Sequence, residues 1–338
     1  MSPKRRVLCT LPIDPAGVEL LEPFAQVVVA PDDRPETLRE ALGDADYLIV
    51  RTQLPADLFE RPNRLLGVVR NGSGLDMIPV ESATAHGIPV ANVPGANAQA
   101  VVEYCIGTFL LLARRFDAMN RALREEGWAA ARTITAGASE LHGKVAGIVG
   151  LGIIGSGLAR VCAEGFGMRV LGYARRRETI PTFAEAVELD ALVEQSDFIS
   201  LNCPLTRETR HLIDERRLRR MKPTAFLVNA SRGAVVDETA LARALDEGWI
   251  AGAALDVYGE HPLADDSPLR TLDNVILTPH AAALTQESTR KMSLGAARQV
   301  LQLIAGERPE HLVNPEVWAR FERRRADLEA LTGTGRGA

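Results

Sequence analysis

Residues 145–178 read VAGIVGLGIIGSGLARVCAEGFGMRVLGYARRRE, and this stretch decides the fold. An apolar run ends at Gly150, a G-x-G-x-x-G triplet follows as Gly150, Gly152 and Gly155, an alanine-rich helical pattern comes next, and a second strand-like run closes the unit. In such a unit the first glycine makes a tight turn, the second lets a pyrophosphate approach the backbone, and the third lets helix and strand pack closely. The helix N-terminus then turns its free N–H groups toward the phosphates. A bare triplet also occurs in glycine turns that bind nothing. Strand, helix and second strand in the right order argue instead for a dinucleotide site.

The end of the second strand separates the two nicotinamide dinucleotides. An Asp or Glu there accepts hydrogen bonds from the ribose of NAD, whereas arginine pairs with the 2′-phosphate of NADP. Ala174 stands where the acid would be, and Arg175 and Arg176 follow, both able to offer bidentate donors to a phosphate dianion. NADP(H) is the expected cofactor and NAD(H) the alternative. The competing reading is a solvated arginine run at a strand end.

Outward from this unit the same rhythm repeats. Toward the C-terminus the apolar runs DFISLN, TAFLVN, AGAALD and NVILTP follow, which with VAGIVG and RVLGY make six strands of one doubly wound sheet. Toward the N-terminus RRVLCT, QVVVA, DYLIV, LGVVR and IPVAN alternate with amphipathic stretches, a second set of parallel βαβ units. Between the sets, residues 98–126 read as one long helix, apolar at YCIGTFLLLA, and an irregular segment leads from it to the glycine unit. That apolar run is too short to span a bilayer and suits an interdomain or subunit-contact helix. Another helix is expected near 285–305. The charged residues from Trp318 on, ending GTGRGA, suit a helix that frays into disorder.

The bulk numbers exclude several classes. With 338 residues, 46% hydrophobic and 25% charged, the chain can form two domains with their own cores. A net charge of −5 with only local arginine clusters gives no basic face for nucleic acid. The opening MSPKRRVLCTLPID lacks an apolar stretch of signal-peptide length, and no run reaches membrane-spanning length, so a cytoplasmic protein is expected. The cysteines Cys9, Cys105, Cys162 and Cys203 lie far apart without metal or redox spacing, so buried reduced thiols and no metal are expected.

Later motifs make the sequence recognisable. FISLNCPLTRETRHLI (198–213), LVNASRGAVVDETALARAL (227–245), AGAALDVYGEHPL (251–263) and NVILTPHAAALT (274–285), with VVRNGSGLDMI and NVPGANAQAVVEY upstream, closely resemble the D-isomer-specific 2-hydroxyacid dehydrogenase family over roughly residues 7–317. The resemblance implies two doubly wound α/β domains: a Rossmann dinucleotide-binding domain (98–284) inserted into a flavodoxin-like substrate domain (1–97 and 285–318), with residues 319–338 as a charged tail. It implies a homodimeric reductase of small 2-keto acids, of glyoxylate or hydroxypyruvate type, or else a D-3-phosphoglycerate dehydrogenase-like enzyme. The rival from another class is a non-catalytic dinucleotide-sensing protein similar to the C-terminal binding corepressors.

Residue by residue, the resemblance makes Arg232 the group that binds the substrate carboxylate and polarises the carbonyl, and His280 the acid/base. Asp256 would hold the nicotinamide carboxamide, with Ala230 and Ser231 as neighbouring contacts. Ile153 and Ile154 would donate to the pyrophosphate, and Cys203 would lie beside the adenosine half. Ser73 and Gly74 match the loop whose amides hold the carboxylate. Arg51 and Arg70 match basic positions near the substrate, and a solvated surface fits them equally. An arginine at the C-terminal end of a parallel strand faces the ligand crevice, and histidine titrates where a proton donor is needed near neutrality.

The sequence departs from the family pattern at GEHPL. Family members carry glutamate immediately before the proline, where it bonds the catalytic histidine; here that place is His261, and Glu260 lies one step back. Either Glu260 reaches His280 through a shifted loop, or His261 takes the orienting place as a weaker, uncharged partner. Pro262 restricts its predecessor to extended backbone, which favours His261.

Overall fold

A computed structural model describes residues 4–333 of the chain. It divides into two compact units, Met1–Asn97 with Thr285–Ala338, and Ala98–Leu284.

The first unit is a parallel sheet of β1 (Arg5–Cys9), β2 (Ala25–Val29), β3 (Tyr47–Val50), β4 (Gly67–Arg70) and β5 (Val90–Ala91), in the order β2-β1-β3-β4-β5. This is the flavodoxin-like order, and it arises because each β-branched run is followed by a segment that crosses back over the sheet. The helix Gln286–Ala305, capped by the Thr285 hydroxyl on the Ser288 N–H, buries Ala296, Ala297, Val300 and Leu303 against Val7, Cys9, Tyr47 and Ile49. A side chain at Gly67 would overlap Leu303, so glycine there lets this helix lie close on β4. The helix Trp318–Gly333 was expected as a tail apart from the domain; instead it inserts Phe321 fully into the same core, because Trp318 and Phe321 form one apolar face amid the charges. The fraying expected for residues 334–338 lies outside the described residues.

The second unit carries β6 (Val145–Val149), β7 (Arg169–Tyr173), β8 (Glu185–Ala186), β9 (Phe198–Leu201), β10 (Phe226–Asn229), β11 (Gly252–Leu255) and β12 (Val275–Leu277). All pair in parallel in the order β12-β11-β10-β9-β6-β7-β8. The strand order reverses at β6, so ligands are expected outside the carboxyl ends near the β6–β9 junction. The sheet has seven strands where six were expected, because β8 is only two exposed residues at an edge and leaves no periodic signal.

Two further expectations need correction. The long helix over 98–126 is broken into Ala98–Arg114 and Phe116–Glu125 by Arg115, whose φ of 53° is left-handed. The segment expected to be irregular holds a further helix, Trp128–Ile134. The apolar run near 104–113 turns Cys105, Phe109, Leu112 and Ala113 into the core of this unit. Its other face exposes Leu111, and further exposed apolar groups follow at Phe116, Leu123 and Trp128. No helix among the described residues is long and apolar enough to cross a membrane.

Candidate active site

The glycine turn follows from local sterics. Gly150 has φ of 90°, and a Cβ there would come within 2.8 Å of the Asn202 carbonyl and the Cys203 nitrogen. A Cβ on Gly155 would overlap the Gly150 carbonyl oxygen, so only glycine lets the helix Ile153–Arg160 start so close to β6. Around Gly152 there is open space, and the first N–H groups of the helix, from Ile153 and Ile154, have no intrahelical acceptor. Beyond β7, Ala174 is half-buried while Arg175 and Arg176 are exposed. Glu208, in the loop after β9, is held below the usual carboxylate range chiefly by the Thr206 hydroxyl and in lesser part by Arg175. Cys203 begins that loop, and burial pushes its thiol up to about 11. These residues fit a nicotinamide dinucleotide: there is room for a pyrophosphate at Gly152, and two exposed cations follow Ala174, where no acid stands.

The ends of β10, β11 and β12 are adjacent in the sheet and carry Arg232, Asp256 and His280. The Arg232 turn is organised by Asn229, a residue 1% exposed whose side-chain oxygen accepts from the N–H and hydroxyl of Ser231 at 3.1 and 2.9 Å and whose NH2 donates to the Arg232 carbonyl at 2.9 Å. Arg232 itself is half-buried, and one of its N–H groups donates to the Ser231 carbonyl at 2.7 Å. Asp256 is 1% exposed, and its carboxylate accepts from the Thr278 hydroxyl at 2.6 Å, the Ala281 N–H at 2.7 Å and the Ala282 N–H at 2.9 Å. Its own carbonyl accepts the His280 N–H at 2.9 Å. The carboxylate thus helps fold the turn that bears His280, and three accepted hydrogen bonds leave it capacity to accept one more.

His280 has φ of 55°, a left-handed conformation uncommon for a side chain of its size and held only because the surrounding bonds dictate it. The His261 ring lies 5.4 Å from the His280 ring and 5.9 Å from that of Tyr258, while Glu260 is exposed and makes no hydrogen bond or ion pair among the described residues. Of the two candidates before the proline, His261 is the one brought to His280.

In the first unit, Ser73 and Gly74 follow β4. The Ser73 hydroxyl donates to the Val93 carbonyl and the Asn97 side-chain oxygen, both at 3.3 Å, and Asn92 donates to the Ser73 carbonyl at 2.8 Å. The N–H groups of Ser73 and Gly74 have no acceptor among the described residues, which leaves two adjacent donors for an anion. Arg70 donates to the carbonyls of Val50 (2.9 Å), Asn71 (2.9 Å) and Gly74 (3.2 Å), clamping this loop. Arg51 donates to the Pro12 carbonyl.

Sequence reasoning missed Asn229, Thr278, Tyr104 and Tyr258. The Tyr104 and Thr278 hydroxyls lie 2.8 Å apart, and Tyr258 donates to the Thr278 carbonyl at 2.8 Å. Burial raises the Tyr258 hydroxyl above the ordinary phenol value, with the Asp256 charge adding to it, so it stays a donor. Only Asn229 left a signal, an amide among small residues at a strand end.

The model of the D-isomer specific 2-hydroxyacid dehydrogenase NAD binding domain matches residues 106–282. A glyoxylate reductase of Korarchaeum cryptofilum is 40% identical over 323 residues, 93% of this chain and 97% of its own. A D-3-phosphoglycerate dehydrogenase of Methanocaldococcus jannaschii is 38% identical over 315 residues, 91% of this chain and 59% of its own. Among solved structures, an NADPH-dependent glyoxylate/hydroxypyruvate reductase from Sinorhizobium meliloti in complex with NADP and malonate matches with a TM-score of 0.81 at 28% identity, covering 93% of this chain and 98% of that one. With matches of this length, the motifs and the two parallel sheets have one reading: the chain belongs to the D-isomer-specific 2-hydroxyacid dehydrogenases, a family of NAD(P)-dependent oxidoreductases.

Proposed function

We propose that the chain is an NADPH-preferring reductase of small 2-keto acids, of glyoxylate or hydroxypyruvate type, with Arg232 and His280 as its central pair. The observation that carries this reading is their placement at the ends of nearby strands of one sheet, each in a turn fixed by a buried polar side chain, Asn229 for Arg232 and Asp256 for His280. The guanidinium fork matches a carboxylate and can also face the oxygen on which charge develops. His280, protonated, gives its proton to that oxygen and takes it back in the reverse direction. When bound, the dinucleotide supplies the hydride for the carbonyl carbon.

Gly150, Gly152, Ile153, Ile154 and Gly155 would hold the pyrophosphate, and Ala230, Ser231 and Cys203 would contribute neighbouring contacts. Arg175 and Arg176 would pair with the 2′-phosphate, which the absence of an acid at Ala174 supports. The Ser73 and Gly74 amides would take the carboxylate. Asp256 would hold the nicotinamide carboxamide while it braces the His280 turn, and the chain works in the cytoplasm as a homodimer, for which the exposed Phe116, Leu123 and Trp128 offer apolar surface.

The test is NADPH and NADH oxidation across a panel of 2-keto acids that includes glyoxylate, hydroxypyruvate and 3-phosphohydroxypyruvate. Highest kcat/KM for glyoxylate or hydroxypyruvate with NADPH is expected. A preference for the phosphorylated acid would select the second reading, which the phosphoglycerate dehydrogenase relative favours. Tight NADPH binding with no turnover of any acid would select the dinucleotide-sensing alternative.

A further inference from the structure

The segment that carries His261 is pinned before it reaches that residue. Tyr258 is 6% exposed, and its hydroxyl donates to the Thr278 carbonyl at 2.8 Å, two residues before His280, and to the Leu255 carbonyl at 3.2 Å. On its other side lies Gly233, directly after Arg232, where any Cβ would overlap the Tyr258 carbonyl oxygen. The Arg232 turn and the start of the His261 loop are thus in direct backbone contact. The next residue is held from a third direction, because the Glu238 carboxylate accepts the Gly259 N–H at 2.7 Å.

Glu238 is the first residue of the helix Glu238–Asp246, but the helix does not depend on it for a cap: the Asp237 side chain accepts the Ala240 N–H at 3.0 Å. Glu238 is therefore available to act outward, on the loop. With residues 258 and 259 both held, the chain bends through residues 259–262 rather than running extended as the proline suggested, and the His261 ring lies 5.4 Å from that of His280 while Glu260 is exposed without a partner among the described residues.

We propose that Glu238 and Tyr258 are positioning residues that set the register of this loop, so that His261 rather than Glu260 stands beside the acid/base. The carboxylate that family members place against the catalytic histidine is replaced here by an imidazole, and a second carboxylate, one shell further out, fixes that imidazole through the backbone. The charged and titratable groups around the ring pair are then Arg232 on the β10 turn, Asp256 beneath the His280 turn, Tyr258 against His261, Tyr104 through Thr278, Glu238 behind Gly259, and Glu260 on the outer side. The inference rests on the reading of His280 as acid/base, so it is tested by one readout that needs turnover and one that does not.

Full-length E238A and E238Q are compared with the unmodified protein, each alone and combined with H261A. The amide of E238Q keeps an oxygen to accept the Gly259 N–H; E238A does not. In E238A, kcat for the best 2-keto acid of the panel should fall about tenfold, as expected for a misplaced reacting group, with its alkaline limb displaced, while KM and NADPH affinity stay within about twofold. E238Q should restore most of the loss. E238A should add little to H261A, since both act on the same contact. In histidine-ring NMR, E238A should move the His280 signals toward their position in H261A. Should E238A not fold, Tyr258→Phe, which removes one hydroxyl, takes its place in the same cycle and the same spectra.

Unchanged kcat and ring signals in E238A overturn the proposal, as does additivity with H261A or a failure of E238Q to rescue. If none of the 2-keto acids is reduced but the ring signals move together, the reductase reading falls and the positioning role stands.

Discussion

The corner after β7 and the ends of β11 and β12 are all carboxyl ends of strands in the same parallel sheet, yet they are built in opposite ways. At the corner, Arg175 and Arg176 project from an exposed stretch. At the other ends, Asp256 is buried with three donors on its carboxylate, and Thr278, Tyr104 and Tyr258 form a continuous hydrogen-bonded set around it. The difference suits the two tasks proposed for them, phosphate recognition at the corner and proton transfer at the buried end. A charged group that recognises a phosphate works through a screened, orientable field and tolerates looseness, whereas a proton donor must meet one atom at hydrogen-bond distance. Substitutions at the buried end should therefore cost stability and rate together, and substitutions at the corner should change selectivity alone.

The largest expected effect is at Asp256. Asp256→Ala leaves the Ala281 and Ala282 N–H groups and the Thr278 hydroxyl without their acceptor, which costs about 3 kcal/mol or more and roughly 10 °C in Tm. Turnover should vanish with the His280 turn. A thermal melt within two or three degrees of the unmodified protein would show that the buried end is not the rigid element this contrast requires.

His280→Ala comes next. It removes a proton donor worth about two to four powers of ten in kcat, while NADPH should bind as before because the glycine turn and the arginine corner are untouched. Near-normal turnover would reassign the acid/base. Arg232→Ala should instead impair KM and kcat together, since the guanidinium holds both the ground-state carboxylate and the developing charge.

How much of this was legible in the sequence follows from range. The glycine unit and the apolar strands announce themselves because their signals lie within a few residues: Gly150 needs its positive φ and Gly155 its missing Cβ for reasons set by the nearest turn. Arg232, Asp256 and His280 could be found because the family motifs surround them. The edge strand β8 and the break at Arg115 could not, as two exposed residues carry no period and arginine carries no turn preference. The polar set around Asp256 was equally silent, since it joins positions as distant in sequence as Tyr104 and Thr278. The same reason left Glu260 and His261 undecided, because the contacts that choose between them come from Glu238 and Thr278, outside the motif.

At the corner, the double change Ala174→Asp with Arg175→Ala should reverse cofactor preference, measured as the ratio of kcat/KM with NADPH to that with NADH, while Tm stays within a degree or two. It removes a cation from the 2′-phosphate and supplies an acceptor for a ribose hydroxyl. The unmodified ratio should also fall as salt rises, since the pairing is exposed. Equal efficiency with both cofactors in the unmodified protein would sink the assignment.

The smallest effect should come from Glu208, which lies close enough to Arg175 to be stabilised by it, after the larger contribution of the Thr206 hydroxyl. Its carboxyl is held below the usual carboxylate range, so it is ionised across the working range. A fixed negative charge there competes with the 2′-phosphate for the same guanidinium. Glu208→Gln should then raise NADPH affinity by about two- to threefold, the size expected for one exposed charge pair, with NADH affinity unaltered and no dependence on pH between 6 and 9. The two directions are separable in one titration series: a gain confined to NADPH puts the phosphate at Arg175, whereas an equal change for both cofactors, or a loss, would place it elsewhere on the corner and leave Arg176 as the partner to test.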